Sequence, residues 1–125
     1  MNIYLVLGIL FVHWMGDFVL QTDKQAKGKS SDWGLLLEHT LTYTIIWFPF
    51  LCVYSGHYSE LSGRDIWDFM IITMLFHTIQ DAITSRINTK LFKAGKTHLF
   101  FVSVGFDQFL HFAQLLITFK LLTNA

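Results

Sequence analysis

A histidine and an aspartate four residues apart recur three times along the chain, each time inside an apolar run. They are His13 and Asp17 in FVHWMGDFVLQ, His77 and Asp81 in LFHTIQDAI and, in reverse order, Asp107 and His111 in GFDQFLHF. A further histidine, His39, lies in LLLEHTLTY. Residues four apart share a helix face, so each pair can aim two ligand-type side chains at one point. Imidazole and carboxylate together suit zinc, manganese or iron. Helical bundles build dinuclear sites from inward carboxylates and histidines on facing helices. Three carboxylates in an apolar setting also carry a negative load that one or two divalent cations would offset. The candidate metal ligands are therefore His13, Asp17, His39, His77, Asp81, Asp107 and His111. They suit one or two ions, with zinc the first choice and manganese or iron the alternatives.

A metal-held water is a nucleophile at neutral pH, and the metal polarises the oxygen of the bond to be broken. Asp17 and Asp81 are the candidate catalytic carboxylates, with Glu38 a further candidate base beside His39. Glu38 also has a plainer reading, because adjacent helical residues point about 100° apart and a residue there can reach water. Lys24 and Arg86 can attract a phosphate, and Gln21 and Gln108 can hydrogen-bond one. The expected activity is hydrolysis of a lipid or other amphiphilic phosphate ester, such as a phospholipid or an isoprenoid phosphate. Each histidine taken alone is more simply an interhelical hydrogen-bond partner. The competing readings are a metal-ion or proton transporter and a regulator that binds another membrane protein.

The elements that must hold these residues are apolar helices. Over half of the 125 residues are hydrophobic, 13 are phenylalanine and 14% are charged. A soluble domain of this size needs more polar surface than that. The formal net charge is zero, which gives no reason to expect nucleic acid. Cys52 is the one cysteine and lies in an apolar run. The N-terminal MNIYLVLGILFV lacks a basic start and a small-residue cleavage site, and reads as a retained helix. The pattern predicts an all-α, polytopic membrane protein: a single four-helix transmembrane domain over 1–125, with spans at about 3–20, 33–54, 65–84 and 99–122.

QTDKQAKGKSSD reads as a polar loop, with Ser31 or Asp32 capping the second helix. Pro49 should kink that helix. A short interfacial extension after the third span should stop at Gly95. Lys24, Lys27, Lys29, Arg86, Lys90, Lys93 and Lys96 lie in the loops after the first and third spans, seven of the nine basic residues. The positive-inside rule then puts those loops in the cytoplasm and both termini outside, in a cytoplasmic (inner) membrane. All seven candidate ligands fall at similar depth near the cytoplasmic face. A His-x3-Asp helix, a basic loop and a histidine-bearing helix occur twice, which suggests a parallel duplication of a helical hairpin. A unit this small also suits pairing with itself, as a homo-oligomer. His57 and His98 fall in loops and are assigned no role.

The stretches HWMGDFVLQTD, HTLTY, HTIQD and DQFLH resemble a family of short bacterial and phage membrane proteins known as a domain of unknown function. In pattern they are more distantly similar to the membrane-bound metal-dependent hydrolases induced by DNA damage. The resemblance implies a cytoplasmic-membrane location and hydrolysis. It supplies no substrate.

Overall fold

The computed structural model describes residues 1–58 and 60–123. They form α1 (Ile3–Trp14), a π-helical turn (Met15–Val19), α2 (Asp23–Gly28), α3 (Trp33–Ile45), α4 (Trp47–Tyr58), α5 (Gly63–Lys93) and α6 (Thr97–Thr123). No strand occurs among the described residues, so the all-α expectation holds. The element bounds sharpen it in several places.

The loop expected between the first two spans contains α2. Thr22 and Gln25 start it with a reciprocal capping box, in which Thr22 Oγ1 accepts from the Gln25 N–H and Gln25 Oε1 from the Thr22 N–H. Asp32, and not Ser31, caps α3 by accepting from the N–H groups of Gly34 and Leu35. The expected kink falls at Ile46, between α3 and α4. Pro49 has no N–H to offer the carbonyl four residues earlier, at Ile45, so the ladder breaks there. The polar stretch SGHYSELSGRD gives its first residues to α4 and its last to α5, with Ser59 outside the described residues, so His57 lies in α4 and not in a loop, as His98 lies in α6.

The third helix is much longer than its expected span. It runs 31 residues without interruption, about 46 Å at 1.5 Å per residue, and its basic last turns continue the same rod. It stops where expected. Gly95 has φ +69°, its N–H donates to the Phe92 carbonyl, and the Lys96 N–H donates to the Leu91 carbonyl. This is a Schellman closure, which needs a residue that tolerates the left-handed region. The turn folds α6 back against α5, while α3 also packs on α5, α1 on α6 and α2 on α3.

The interior has two zones. One half is apolar and close-packed, with Ile9, Trp47, Leu51, Phe69, Leu115 and Phe119 fully buried. The other holds His13, His39, His77 and His111, also fully buried. The outer surface inverts the order of a soluble protein: Leu7, Phe11, Leu41, Ile71, Leu75 and Phe109 are all about half exposed or more. Two stretches, Trp33–Tyr58 and Thr97–Thr123, are long and apolar enough to cross a membrane by length and composition, and Ile3–Val19 is a shorter apolar helix. α5 is the longest of all, but Thr73, His77 and Asp81, which it turns inward, lower its hydropathy.

The junction of α1 with the π-helical turn shapes the interior. The Leu20 N–H reaches the Met15 carbonyl five residues back, at 2.9 Å. Gly16 in this wide turn lets the Tyr43 ring approach: a Cβ there would lie 2.8 Å from Tyr43 Cδ2 and 3.2 Å from Ile46 Cγ2. Tyr43 is fully buried and has no room to retreat. Gly16→Ala is expected to destabilise the fold by about 1–3 kcal/mol through overpacking. Gly105→Ala, where a Cβ meets nothing within 4 Å, is expected to be neutral or to stabilise by up to ~1 kcal/mol. Unfolding of both variants in detergent checks the pair, and equal stability of the two would contradict it.

Candidate metal centre

Six of the seven candidate ligands come together in two adjoining groups between four elements. Asp17 comes from the π-helical turn, His39 from α3, His77 and Asp81 from α5, and Asp107 and His111 from α6. Asp17, His39, His77 and Asp81 offer ligand atoms that all lie within 4.8 Å of one another, and so do Asp17, Asp107 and His111. Every one of these residues is buried.

The first group is the tighter. His39 Nε2 lies 3.1 Å from Asp17 Oδ1, 3.3 Å from Asp81 Oδ2 and 3.2 Å from His77 Nε2. His77 Nε2 lies 3.4 Å from Asp17 Oδ1 and 3.7 Å from Asp81 Oδ2. A tetrahedron with metal–ligand bonds of about 2.0–2.1 Å has edges of about 3.3–3.4 Å. Five edges of this quartet lie close to that length. Two imidazole nitrogens and two carboxylate oxygens facing inward are a donor set that zinc, manganese or iron accepts.

The second group sits against the first. His111 Nε2 is 3.4 Å from Asp107 Oδ1 and 3.4 Å from Asp81 Oδ1. Both His111 Nε2 and Asp107 Oδ1 are buried without a hydrogen-bond partner. A buried polar atom left unpaired costs about 1–3 kcal/mol. A cation held between the two would satisfy both. Asp17 belongs to both groups, and Asp81 turns one oxygen to each, so the two positions share carboxylates as a dinuclear site would.

His13 is the exception among the seven. Its two ring nitrogens are already engaged, Nε2 by Gln108 Oε1 at 2.8 Å and Nδ1 by the Tyr43 hydroxyl at 2.7 Å. Gln108 Nε2 donates to Asp17 Oδ2 at 3.0 Å and to Asp107 Oδ2 at 3.3 Å, which turns its Oε1 toward His13. His13 Nε2–H therefore donates to Gln108, and the Tyr43 O–H donates to His13 Nδ1. His13 thus braces the neighbours of the cluster, and neither of its ring nitrogens is left free to face it. Gln108, expected to bind substrate, clamps two of the carboxylates in this structure.

The structure places four further candidates, Glu38, Lys24, Arg86 and Gln21, outside the cluster. Glu38 is exposed and lies outside the cluster, because it is one residue from His39 on a helix whose buried face carries His39 and Tyr43. Lys24 is exposed on α2. Arg86 donates to the Ala82 carbonyl one turn back and lies over the Trp33 ring, 4.5 Å from its centroid. Gln21 is half-buried, and its Oε1 has no partner. The cation that does reach the cluster is Lys29, whose Nζ donates to Asp81 Oδ2 at 2.7 Å. The three carboxylates less this one ammonium leave two negative charges in excess, which one divalent ion offsets.

Tyr43 was also missed. It stacks on His77 with ring centroids 3.8 Å apart and planes 7° from parallel, while its hydroxyl holds His13. The signal was present: Tyr43 is four residues after His39 and must share its face. Groups that orient metal ligands in this way typically contribute 10–100-fold to affinity. Tyr43→Phe and Gln108→Ala are therefore expected to weaken binding of zinc by about that factor, and His13→Ala likewise. His39→Ala and His77→Ala should abolish binding at the quartet. Competition titration with a chelating dye distinguishes the two classes, and a His13→Ala loss as complete as that of His77→Ala would return His13 to the ligand set.

Among curated proteins and solved structures, none matches the chain. A family model described as "Protein of unknown function (DUF3307)" matches residues 5–125, in keeping with the kind of family that the histidine and aspartate stretches resemble. The match covers nearly all of the chain, every residue of the cluster included, and the chain belongs to that family.

Proposed function

We propose that the protein is a membrane-embedded, metal-dependent hydrolase of an amphiphilic phosphate ester, with its site near the cytoplasmic face. The observation that carries this reading is the pair of carboxylate-sharing ligand groups with Lys29 at their edge. In this reading α1 with its π-helical turn, α3 with α4, α5 and α6 are the four spans of a single domain, and both termini lie outside. The apolar outer surface supports it, because lipid accepts side chains that water would not. So does the contribution of each helical hairpin: His39 and Asp17 from the first, His77, Asp81, Asp107 and His111 from the second.

A bound divalent ion would supply a hydroxide-like water and polarise the phosphoryl oxygen. Zinc suits the four-atom quartet best, with manganese or iron acceptable to the same donors. The chain's own groups do the rest. Asp17, Asp107 and Gln108 hold the geometry. The water's oxygen joins phosphorus and the ester P–O bond breaks. Lys29 Nζ gives a proton to the leaving oxygen and takes back the one that the attacking water sheds, while Asp81 Oδ2, 2.7 Å away, holds the ammonium in place.

A transport path needs polar access from both sides. A polar line does leave the cluster away from Lys29: Gln114 Nε2 donates to Thr73 Oγ1 and to Thr118 Oγ1. Gln114 and Thr118 face a cavity of about 380 Å³ whose other walls are Ile72, Phe76, Ile117, Leu121 and Leu122. That apolar lining offers an ion no further polar step and supports a site served from one side.

The test is turnover of phosphate monoesters of graded chain length by the metal-supplied protein in detergent. Lys29→Gln is expected to lower kcat by roughly 100-fold or more, as loss of a proton donor does, with metal content unchanged, while Glu38→Gln leaves kcat unchanged. Activity of wild type indistinguishable from Lys29→Gln would rule out the hydrolase.

A further inference from the structure

Beside the metal centre lies a second feature that the catalytic scheme does not use. A cavity of about 450 Å³ opens between α2, the last turns of α5 and the start of α6. That size falls in the roughly 300–1,000 Å³ range of small-molecule sites. Lys27, Lys29 and Lys93 line it, and among the described residues no carboxylate does. Ser85 and Asn88 line it from α5, and Phe92 and Phe100 form an apolar wall, their rings 5.7 Å apart.

Two polar atoms in its lining have no partner. Ser85 Oγ is buried and unbonded, with the residue only 8% exposed, and Asn88 Oδ1 is likewise buried and unbonded. A serine hydroxyl rotates freely, and the asparagine amide can present either end, so both can donate. Two ammonium groups, those of Lys27 and Lys93, with two neutral donors and the Lys29 ammonium held at the inner end by Asp81, describe a receptor for a compact anion with several oxygens. The adjacent exposed Phe92 suits an apolar chain attached to it. Lys29 reaches from this cavity to Asp81, so an anion held here is placed at the edge of the metal centre.

We infer that this cavity binds the phosphate group of a phosphate monoester, through Lys27, Lys29, Lys93, Ser85 and Asn88, with the apolar remainder of the ligand along Phe92 and Phe100. It thereby replaces Lys24 and Arg86, which the sequence suggested for this role. The inference deepens the hydrolase reading and rests on it for the ligand's fate, though binding can be tested without turnover. The phosphate can be free or carried by a lipid, since both present the same oxygens to the same donors.

The experiment measures binding to the full-length protein in detergent of two probes, inorganic phosphate and a short-chain phosphatidic acid. Lys27 and Lys93 are exposed and touch no cluster residue, so Lys27→Ala/Lys93→Ala is the main variant. Ser85→Ala is the second. Wild type should bind at least one probe, and the double variant should bind it roughly tenfold or more weakly, as expected for lost charge-assisted contacts. Metal content should stay at the wild-type level. Phosphatidic acid bound in preference to inorganic phosphate assigns the site to a lipid headgroup; the reverse assigns it to the free anion. Failure of both probes to bind overturns the inference, as does binding that neither variant weakens. Binding that obeys these rules without any phosphate release keeps the cavity and removes the hydrolase.

Discussion

Three carboxylates buried at one level of an apolar helical bundle constrain everything around them. A carboxylate removed from water needs opposite charge and hydrogen bonds, or it costs more than the packing around it returns. Here the compensation comes from every side. Lys29 meets Asp81, Gln108 meets Asp17 and Asp107, and His39, His77 and His111 crowd the remaining oxygens. What stays uncompensated, two negative charges and the unpaired atoms of His111 and Asp107, is what one divalent cation would neutralise and bind.

The supporting elements follow from that constraint. A regular helix would stack Asp17 over His13; the π-helical turn adds a residue and presents Asp17 to His39 and His77 as well. Gly16 keeps that turn close to Tyr43, and Tyr43 in turn fixes His13 and His77. α5 runs unbroken for 31 residues, with the His77 and Asp81 pair in its middle and a wall of the basic cavity near its end. The apolar half of the bundle, packed around Trp47, Phe69 and Phe119, closes the far side and keeps water out of the cluster from that direction.

Much of this is legible in the sequence, because i to i+4 spacing within an apolar run is a geometric statement about one helix face. It finds His77 with Asp81 and Asp107 with His111 directly, and Gly95 as the stop of α5. It cannot say which nitrogen of a histidine is free. His13 satisfies the same spacing as His77, yet Tyr43 and Gln108, 30 and 95 residues away in sequence, consume both of its nitrogens. Lysines are ambiguous for a similar reason. Seven basic residues look alike in their loops, and only the path of α2 decides that Lys29 and not Lys24 turns inward. The π-helical turn has no periodicity of its own over five residues and leaves no mark in the pattern.

The central claim, that the buried cluster is a metal centre, is tested most directly by elemental mass spectrometry of the detergent-purified protein after saturation with zinc, manganese or iron and removal of excess. One or two ions per chain, lost in a His39→Ala/His77→Ala variant that remains folded, is the expected result. A folded wild-type protein that retains none of the three metals above background contradicts the claim. The cluster would then be a network of protonated histidines and carboxylates.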